Sequence, residues 1–171
     1  MQDPTPPVEP TQNAAPEAAP CVILFLHRGE SACWLLVPSL LARVKKFGLA
    51  HEKDPERVEA RCRRFQAAFG AGSGDMLGAV YLQDGRVVGH FIAGLEVHEG
   101  ERIAYVYQWT KDTEIIRPDP EVHAYGLQML AQWGQSVRAR RVVVHPLDAA
   151  RERLFERLGF TGHGRAMWRM L

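Results

Sequence analysis

The chain has 171 residues, of which 46% are hydrophobic and 24% are charged, a composition typical of one soluble globular domain. Its 21 basic residues nearly balance its 20 acidic residues, so the formal net charge of +1 does not favour nucleic acid or an anionic membrane as a partner. No apolar stretch approaches the ~18 residues of a membrane span, and the first residues lack the pattern of an export signal, so we expect a protein that is not secreted by a signal peptide.

The first 20 residues form the most unusual segment of the chain, with six of the eleven prolines, four alanines and no aromatic residue. Such a segment cannot bury enough apolar surface to fold alone. We therefore expect an extended arm over residues 1–20 and one folded domain over residues 21–171. The arm is either a disordered leader or a segment that contacts neighbouring proteins in an oligomeric assembly.

The first half of the domain begins with an apolar run at residues 21–26, which predicts a buried strand. Apolar residues at helical spacing then predict a helix from Ser31 to a stop at Gly48. A second helix is predicted to start at Asp54, as the cap, with Pro55 in its first turn. The other face of this helix is expected to be solvated, and it holds Arg57, Arg61, Arg63 and Arg64.

The second half begins with a predicted meander of three antiparallel strands. The first two, residues 76–82 and 86–96, are joined by a turn at residues 83–85, and the third covers residues 102–110. A long amphipathic helix at residues 122–137 then connects to a strand at residues 141–145, as in a crossover to a parallel neighbour. A short helix at residues 149–158 and a strand at residues 165–170 complete the domain.

This order of elements resembles the GNAT N-acetyltransferase superfamily over residues 21–171. The run Asp84-Gly85-Arg86-Val87-Val88-Gly89 is similar to the family's hairpin into its third strand. The run from Leu154 to Phe160 is similar to its closing helix. The resemblance implies an α/β (α+β) fold with a mixed central sheet. An antiparallel meander would lie beside a parallel pair at the splayed strands, with about four flanking helices.

The family binds acetyl-CoA where two parallel strands separate and transfers the acetyl group to an amine. By resemblance, the cofactor would contact Val106, Tyr107 and Gln108 on the last meander strand, and Arg117 and His123 near the long helix. The family's glycine motif for pyrophosphate is missing, since residues 113–123 contain prolines and acidic residues but no glycine.

The resemblance also suggests which residues would move protons. Glu96, at the end of the second meander strand, is the best-placed general base, and Tyr107 is also a candidate. Tyr105 and His98 are lesser options. The tyrosine that the family often uses as a proton donor in the closing helix is replaced by Phe155, which has no proton to give.

Two further expectations concern other side chains. The histidines show no metal-ligand spacing, so no metal site is expected. The tryptophans are expected in the core and are Trp34, Trp109, Trp133 and Trp168.

Two functions follow from this pattern. The favoured hypothesis, because the glycine motif and the tyrosine are missing, is a structural or interaction component of a larger assembly. This hypothesis is based on a resemblance to the divergent GNAT-like proteins that are encoded among the virion genes of tailed phages. Such a structural role needs no cofactor. The alternative is an N-acetyltransferase that uses acetyl-CoA. Nucleic-acid binding through the second helix is disfavoured. The unpaired cysteines favour a cytoplasmic location, or one within a virion.

Overall fold

The structure is a computed structural model that describes residues 20–112, 120–162 and 166–171. The described residues form a mixed α/β fold. Its helices are α1 (Ser31–His51), α2 (Pro55–Ala71), α3 (Pro120–Ser136) and α4 (Ala149–Arg157). Its strands are β1 (Val22–Phe25), β2 (Met76–Gln83), β3 (Arg86–His98), β4 (Glu101–Lys111), β5 (Arg141–Val144) and β6 (Met167–Met170). None of the helices in these ranges is long and apolar enough to cross a bilayer.

The six strands form one sheet in the order of the chain, from β1 to β6. Neighbouring strands are antiparallel except for β4 and β5, which are parallel and are connected through α3. The predicted fold class, a meander beside one parallel pair with four flanking helices, is confirmed.

Two apolar clusters hold the helices on opposite faces of the sheet. On one face, Leu40 of α1 and Phe65 of α2 pack in the same cluster as Ile92 of β3. On the other face, Leu130 of α3 and Phe155 of α4 belong to a second cluster with strand residues. A strand alternates its side chains between the two faces, so the sheet presents an apolar surface to each helical layer. The apolar stripes of the helices pack against these two surfaces.

The predicted end of α1 at Gly48 is wrong, because the helix continues to His51. Gly48 lies instead where α1 crosses α2. A Cβ atom there would be 2.7 Å from Cγ1 of Val58, so only glycine allows this close approach. The predicted start of α2 is confirmed, since the Asp54 carboxylate accepts a hydrogen bond from the Glu56 amide at 3.0 Å.

The parallel pair β4 and β5 separates soon after it forms. Its ladder ends at Tyr105 paired with Val143, although β4 continues to Lys111. Beyond this point the two strands border a cleft. The predicted splayed strands are therefore present, and the cleft opens between the two helical layers.

A β-bulge in β4 decides which side chains face this cleft. Ile92 pairs with Gln108 and Ala93 pairs with Val106, so Tyr107 has no partner on β3. A bulge of this kind turns two consecutive side chains toward the same face of a sheet. Tyr107 and Gln108 both contact the α1 and α2 layer.

Candidate functional site

The side chain of Tyr107 meets Glu96 and Arg64 on the α2 face of the sheet. Its hydroxyl donates a hydrogen bond to Oε1 of Glu96. Nη1 of Arg64 lies 2.6 Å from the same carboxylate oxygen and 3.0 Å from the tyrosine hydroxyl. The tyrosine ring lies over Gly94, where a Cβ atom would be 2.8 Å from the ring and hydroxyl. The contact therefore requires a glycine on the neighbouring strand.

The surroundings of Tyr107 keep its hydroxyl protonated. Burial raises the pKa of Tyr107 well above its usual value, and the hydrogen bond to Glu96 raises it further, which outweighs the opposite effect of Arg64. The guanidinium of Arg61 lies over the ring, 4.6 Å from its centroid. Arg61 is itself held by the carboxylate of Glu52, with Nη2 2.9 Å from Oε2. Tyr107 therefore keeps its proton at neutral pH and is a hydrogen-bond donor.

Glu96, Tyr107, Arg61 and Glu52 border a cavity of about 690 Å³, which we call the α2-side cavity. Its lining includes carboxylates and guanidiniums, namely Glu52, Glu96, Arg57, Arg61 and Arg141. Its lining also includes the aromatic and imidazole rings of Tyr105, Tyr107, His98, His145 and Trp168. The cavity therefore combines a carboxylate that can accept a proton with several guanidinium groups.

A second cavity, of about 390 Å³, lies on the other face of the sheet, and we call it the α4-side cavity. It is bordered by the end of β4, the first turn of α3 and the length of α4. Its basic lining residues are Lys111, His123, Arg151 and Arg157. Asp148 is the acidic residue of the lining, and its carboxylate caps α4 by accepting a hydrogen bond from the Arg151 amide at 2.8 Å. The cavity is therefore predominantly basic.

Burial changes the titration of two of these basic groups. It lowers the pKa of Lys111 and outweighs the opposite effect of Cys21, and nearby Arg151 makes a smaller contribution that lowers the pKa further. It also lowers the pKa of His123, with Lys111 adding to the effect. The Nδ1 atom of His123 is buried and has no hydrogen-bond partner among the described residues. An anion in this cavity would reduce the repulsion among these groups.

The two cavities meet at the cleft between β4 and β5. A narrow cavity of about 60 Å³ lies in this cleft. It shares Tyr107 and His145 with the α2-side cavity, and Trp109, Arg151 and Phe155 with the α4-side cavity. The cleft therefore lies between the basic cavity on one face and the cavity that contains the Glu96 carboxylate on the other.

The structure brings some of the predicted site residues together and separates others. Glu96 and Tyr107 are hydrogen-bonded neighbours. Val106 and His123 border the cleft and the α4-side cavity, respectively. Gln108 also borders the cleft, but its side chain is buried, where it donates to the Val44 carbonyl and accepts from Nε2 of His90 at 2.7 Å. Arg117 lies outside the described residues.

Two other expectations from the sequence concern Phe155 and metal sites. Phe155 is buried against Trp109 and Phe160, and its ring cannot donate a proton. Within the described ranges, no group of three or more histidine, cysteine or acidic side chains could hold a metal ion.

The arginines of α2 were not predicted as site residues. They were expected on a solvated face, but Arg61 and Arg64 form ion pairs with Glu52 and Glu96. A signal for this was present, because residues 57, 61 and 64 are spaced to share one face of a helix. The expectation that every tryptophan lies in the core is also wrong. Trp34 and Trp168 are 47% and 39% exposed, and Trp168 borders the α2-side cavity.

Solved structures with a similar fold are known, but sequence comparisons identify no relative. No protein-family model matches the chain, and no curated protein matches it. Solved structures do match. A predicted acetyltransferase from Clostridium acetobutylicum, determined with acetyl-CoA, superposes with a TM-score of 0.58 and 7% identity, over 84% of this chain and 91% of that one.

Two further structures match to a similar extent. A GNAT family acetyltransferase from Brucella melitensis in complex with acetyl-CoA has a TM-score of 0.56 and 14% identity, over 87% of this chain and 88% of that one. Glucosamine-6-phosphate N-acetyltransferase from Arabidopsis thaliana has a TM-score of 0.55 and 10% identity, over 84% and 93% of the two chains.

At these identities the similarity establishes the fold alone. The expected likeness to virion proteins of tailed phages finds no support in these neighbours, which are described as acetyltransferases. The prediction of an arm over residues 1–20 falls almost entirely outside the described residues. The chain has the fold of the GNAT acetyltransferases.

Proposed function

We propose that the protein is an N-acetyltransferase that uses acetyl-CoA to acetylate an amine. The observation that carries this proposal is the cleft between β4 and β5, which joins the basic α4-side cavity to the α2-side cavity at Tyr107. The neighbours determined with acetyl-CoA support the same reaction class. The fold by itself would not, because one fold serves many functions.

The residues of the α4-side cavity fit the phosphates of acetyl-CoA. Lys111, Arg151 and Arg157 supply positive charge at one wall, and the unpartnered Nδ1 of His123 supplies a further polar atom. These side chains would replace the backbone amides of the missing glycine motif. Asp148 lies 3.7 Å from Nε of Arg151 and offsets part of its charge, but Lys111 and Arg157 leave the lining net positive.

The residues of the cleft fit the thin, largely apolar arm of the cofactor. Its walls include Val106, Trp109, Val144 and Phe155, which exclude water from the point where β4 and β5 separate. When bound there, acetyl-CoA supplies an acetyl thioester and, after transfer, a thiolate that requires a proton. The chain must therefore supply both a proton acceptor for the amine and a proton donor near the cleft.

Glu96 and Tyr107 meet these two requirements in the proposal. The Glu96 carboxylate takes the proton that the amine loses on attack, while the ion pair with Arg64 holds it in position. Tyr107, which borders both the α2-side cavity and the cleft, gives its hydroxyl proton to the leaving thiolate. Glu96 then returns its proton to Tyr107 through their hydrogen bond. Both residues end the cycle as they began, and Phe155 needs no role.

The hypothesis of a structural component stays a prediction. It depends on residues 1–19, which lie outside the described residues. It was favoured because the glycine motif and the helix tyrosine are missing. The basic side chains of the α4-side cavity and the phenol of Tyr107 now offer replacements for both.

The proposal is tested by measuring acetyl-CoA binding in calorimetry and thiol release with a panel of amines. Glu96→Gln keeps an acceptor for Arg64 but cannot take up a proton, so we expect unchanged acetyl-CoA affinity and a kcat about 10²–10⁴ lower. Glu59→Gln is the matched control, because Glu59 pairs with Lys45 at 2.9 Å and borders neither the cleft nor the two cavities. Absence of acetyl-CoA binding, or an unchanged kcat in Glu96→Gln, would refute the proposal.

A further inference from the structure

The α2-side cavity is lined by more guanidinium groups than carboxylates. Three guanidiniums, those of Arg57, Arg61 and Arg141, line it together with two carboxylates, those of Glu52 and Glu96. Glu52 is bound by Arg61, and Glu96 is bound by Arg64 from outside the lining. The two lining carboxylates are therefore already paired, and neither neutralises Arg57 or Arg141.

Arg57 makes no hydrogen bond or ion pair with any described residue, although it borders the cavity. Arg141 has one weak ion pair, with Nη2 3.5 Å from Oε2 of Glu101. The Nε atoms of Arg141 and Arg61 are buried and have no hydrogen-bond partner among the described residues. Both groups belong to residues of the cavity lining, and each can donate a hydrogen bond to an acceptor bound there.

The sheet sets the distance between these cations and the proposed base. Ile103 of β4 pairs with Glu96 on one side and with Arg141 on the other. Adjacent strands lie ~4.8 Å apart, so the Cα atoms of Glu96 and Arg141 are separated by roughly 10 Å. A small molecule lying across β4 can thus place one end near the Glu96 carboxylate and the other near the Arg141 guanidinium.

We propose that the α2-side cavity binds an acceptor amine that also carries an anionic group, a carboxylate or a phosphate, held by Arg57 and Arg141. The amine lies at the Glu96 end and the anion at the Arg141 end. Ile103, which pairs with both Glu96 and Arg141 and also lines the cavity, lies beneath the apolar part between them. This inference rests on the proposed function and specifies the class of its second substrate.

The test compares three amines with five carbon atoms each: ω-aminopentanol, ω-aminopentanoate and ω-aminopentyl phosphate. We expect kcat/KM to be roughly ten- to hundredfold higher for the anionic amines than for the neutral one, as expected for charge-assisted hydrogen bonds. The two anionic probes distinguish a carboxylate site from a phosphate site. In Arg57→Gln and Arg141→Gln, this preference should fall by at least about tenfold.

Arg63→Gln is the matched control, because Arg63 lies on the same helix but borders a different cavity. It should keep the full preference. Arg57→Gln keeps the test valid if Arg141→Gln does not fold. Arg57 is exposed and forms no ion pair with the described residues, so its replacement should not affect folding. A preference that is equal in wild type and both variants, or no preference for anionic amines, would overturn the inference and leave the proposed transferase intact.

Direct binding separates this inference from the proposed function. Calorimetry of the two anionic amines with the cofactor-free protein should show affinity that Arg57→Gln loses and Arg63→Gln keeps. If this result is obtained without any acetyl transfer, the anion site stands and the transferase proposal fails. If neither anionic amine binds and neither is acetylated, the anion site is refuted.

Discussion

Removal of the Tyr107 hydroxyl tests the proposed proton donor with the smallest change to the site. The hydroxyl donates to Glu96 and lies 3.0 Å from Nη1 of Arg64. Tyr107→Phe keeps the ring beneath the guanidinium of Arg61, 4.6 Å from the ring centroid. The packing over Gly94 is also kept, so we expect the variant to fold.

The expected effects on stability and on rate differ greatly in size. The ion pair between Arg64 and Glu96, at 2.6 Å, remains after the change, so the carboxylate is not left without a partner. Loss of one hydrogen bond at a partly exposed group should cost about 1 kcal/mol, or about 2–4 °C in Tm for a domain of this size. Loss of a general acid should lower kcat by about 10²–10⁴.

The pH profile gives a second measurement on the same residue. Because burial and the bond to Glu96 raise the pKa of Tyr107, its phenol keeps its proton throughout the neutral and mildly alkaline range. The wild-type rate should therefore not fall through ionisation of this group below about pH 10. A basic limb near neutral pH that Tyr107→Phe abolishes would contradict the raised pKa.

The assay is continuous thiol release at saturating acetyl-CoA, with thermal unfolding of each variant measured in parallel. Tyr125→Phe is the control, because Tyr125 is 47% exposed on α3 and borders neither the cleft nor the two main cavities. Its kcat should match the wild type. If Tyr107→Phe also keeps a kcat within about threefold of wild type, Tyr107 is not the proton donor and the reasoning from its position fails.

Three further predictions concern the cofactor site, the helix crossing and the core. Lys111→Gln should weaken acetyl-CoA binding about tenfold in calorimetry and reduce its salt dependence, and an unchanged affinity would contradict phosphate binding in the α4-side cavity. Gly48→Ala places a Cβ 2.7 Å from Val58 and should lower the free energy of unfolding in urea by about 1–3 kcal/mol. Gly70→Ala, in α2 with nothing near its Cβ, should raise it by about 0.5–1 kcal/mol, and equal effects at both glycines would refute the close approach. Burial lowers the pKa of His90 from 6.5 to about 4, despite its hydrogen bond to Gln108, so between these pH values the unfolded chain takes up a proton that the folded protein excludes. The free energy of unfolding should therefore fall with decreasing pH by up to about 3 kcal/mol, a dependence that denaturation of His90→Gln should lack.

The hairpin between β2 and β3 shows what local sequence can specify. Apolar residues flank the turn residues Asp84 and Gly85, and this pattern alone predicts two paired strands. The structure confirms the pair, with Gln83 opposite Arg86. The same holds for α2, whose cap at Asp54 and apolar face are both local signals. Such elements are predictable because their cause lies within a few residues.

The bulge in β4 shows why the site was only partly predictable. Strict alternation along the strand would place Tyr105, Tyr107 and Trp109 on one face. The extra residue at Tyr107 instead sends Trp109 to the opposite face, where it packs against Phe155. No local pattern marks this change, because the bulge arises from the pairing of β4 with β3. Glu96 and Tyr107 were predicted singly, but their contact was not.

The arginines of α2 illustrate the same limit for charge. A run of arginines on a helix is typical of a solvated face, and an isolated α2 would expose these side chains. Only the packing of α2 over β3 and β4 brings Arg64 to Glu96 and Arg61 to the ring of Tyr107. The spacing of these arginines on one face was visible in the sequence, but the surface that faces them was not.

The sequence by itself determined the order of the elements and the crossover that makes one strand pair parallel, because apolar periodicity and turn residues act over short distances. Glu96 and Tyr107 became candidates through the resemblance to the GNAT superfamily and not through a local pattern. The tertiary structure decided that Arg64, Glu96 and Tyr107 form one cluster, that the cleft joins a basic cavity to this cluster, and that unpaired guanidiniums face the acceptor side. These features depend on contacts between residues far apart in the chain, and such contacts exist only after the strands and helices have packed together.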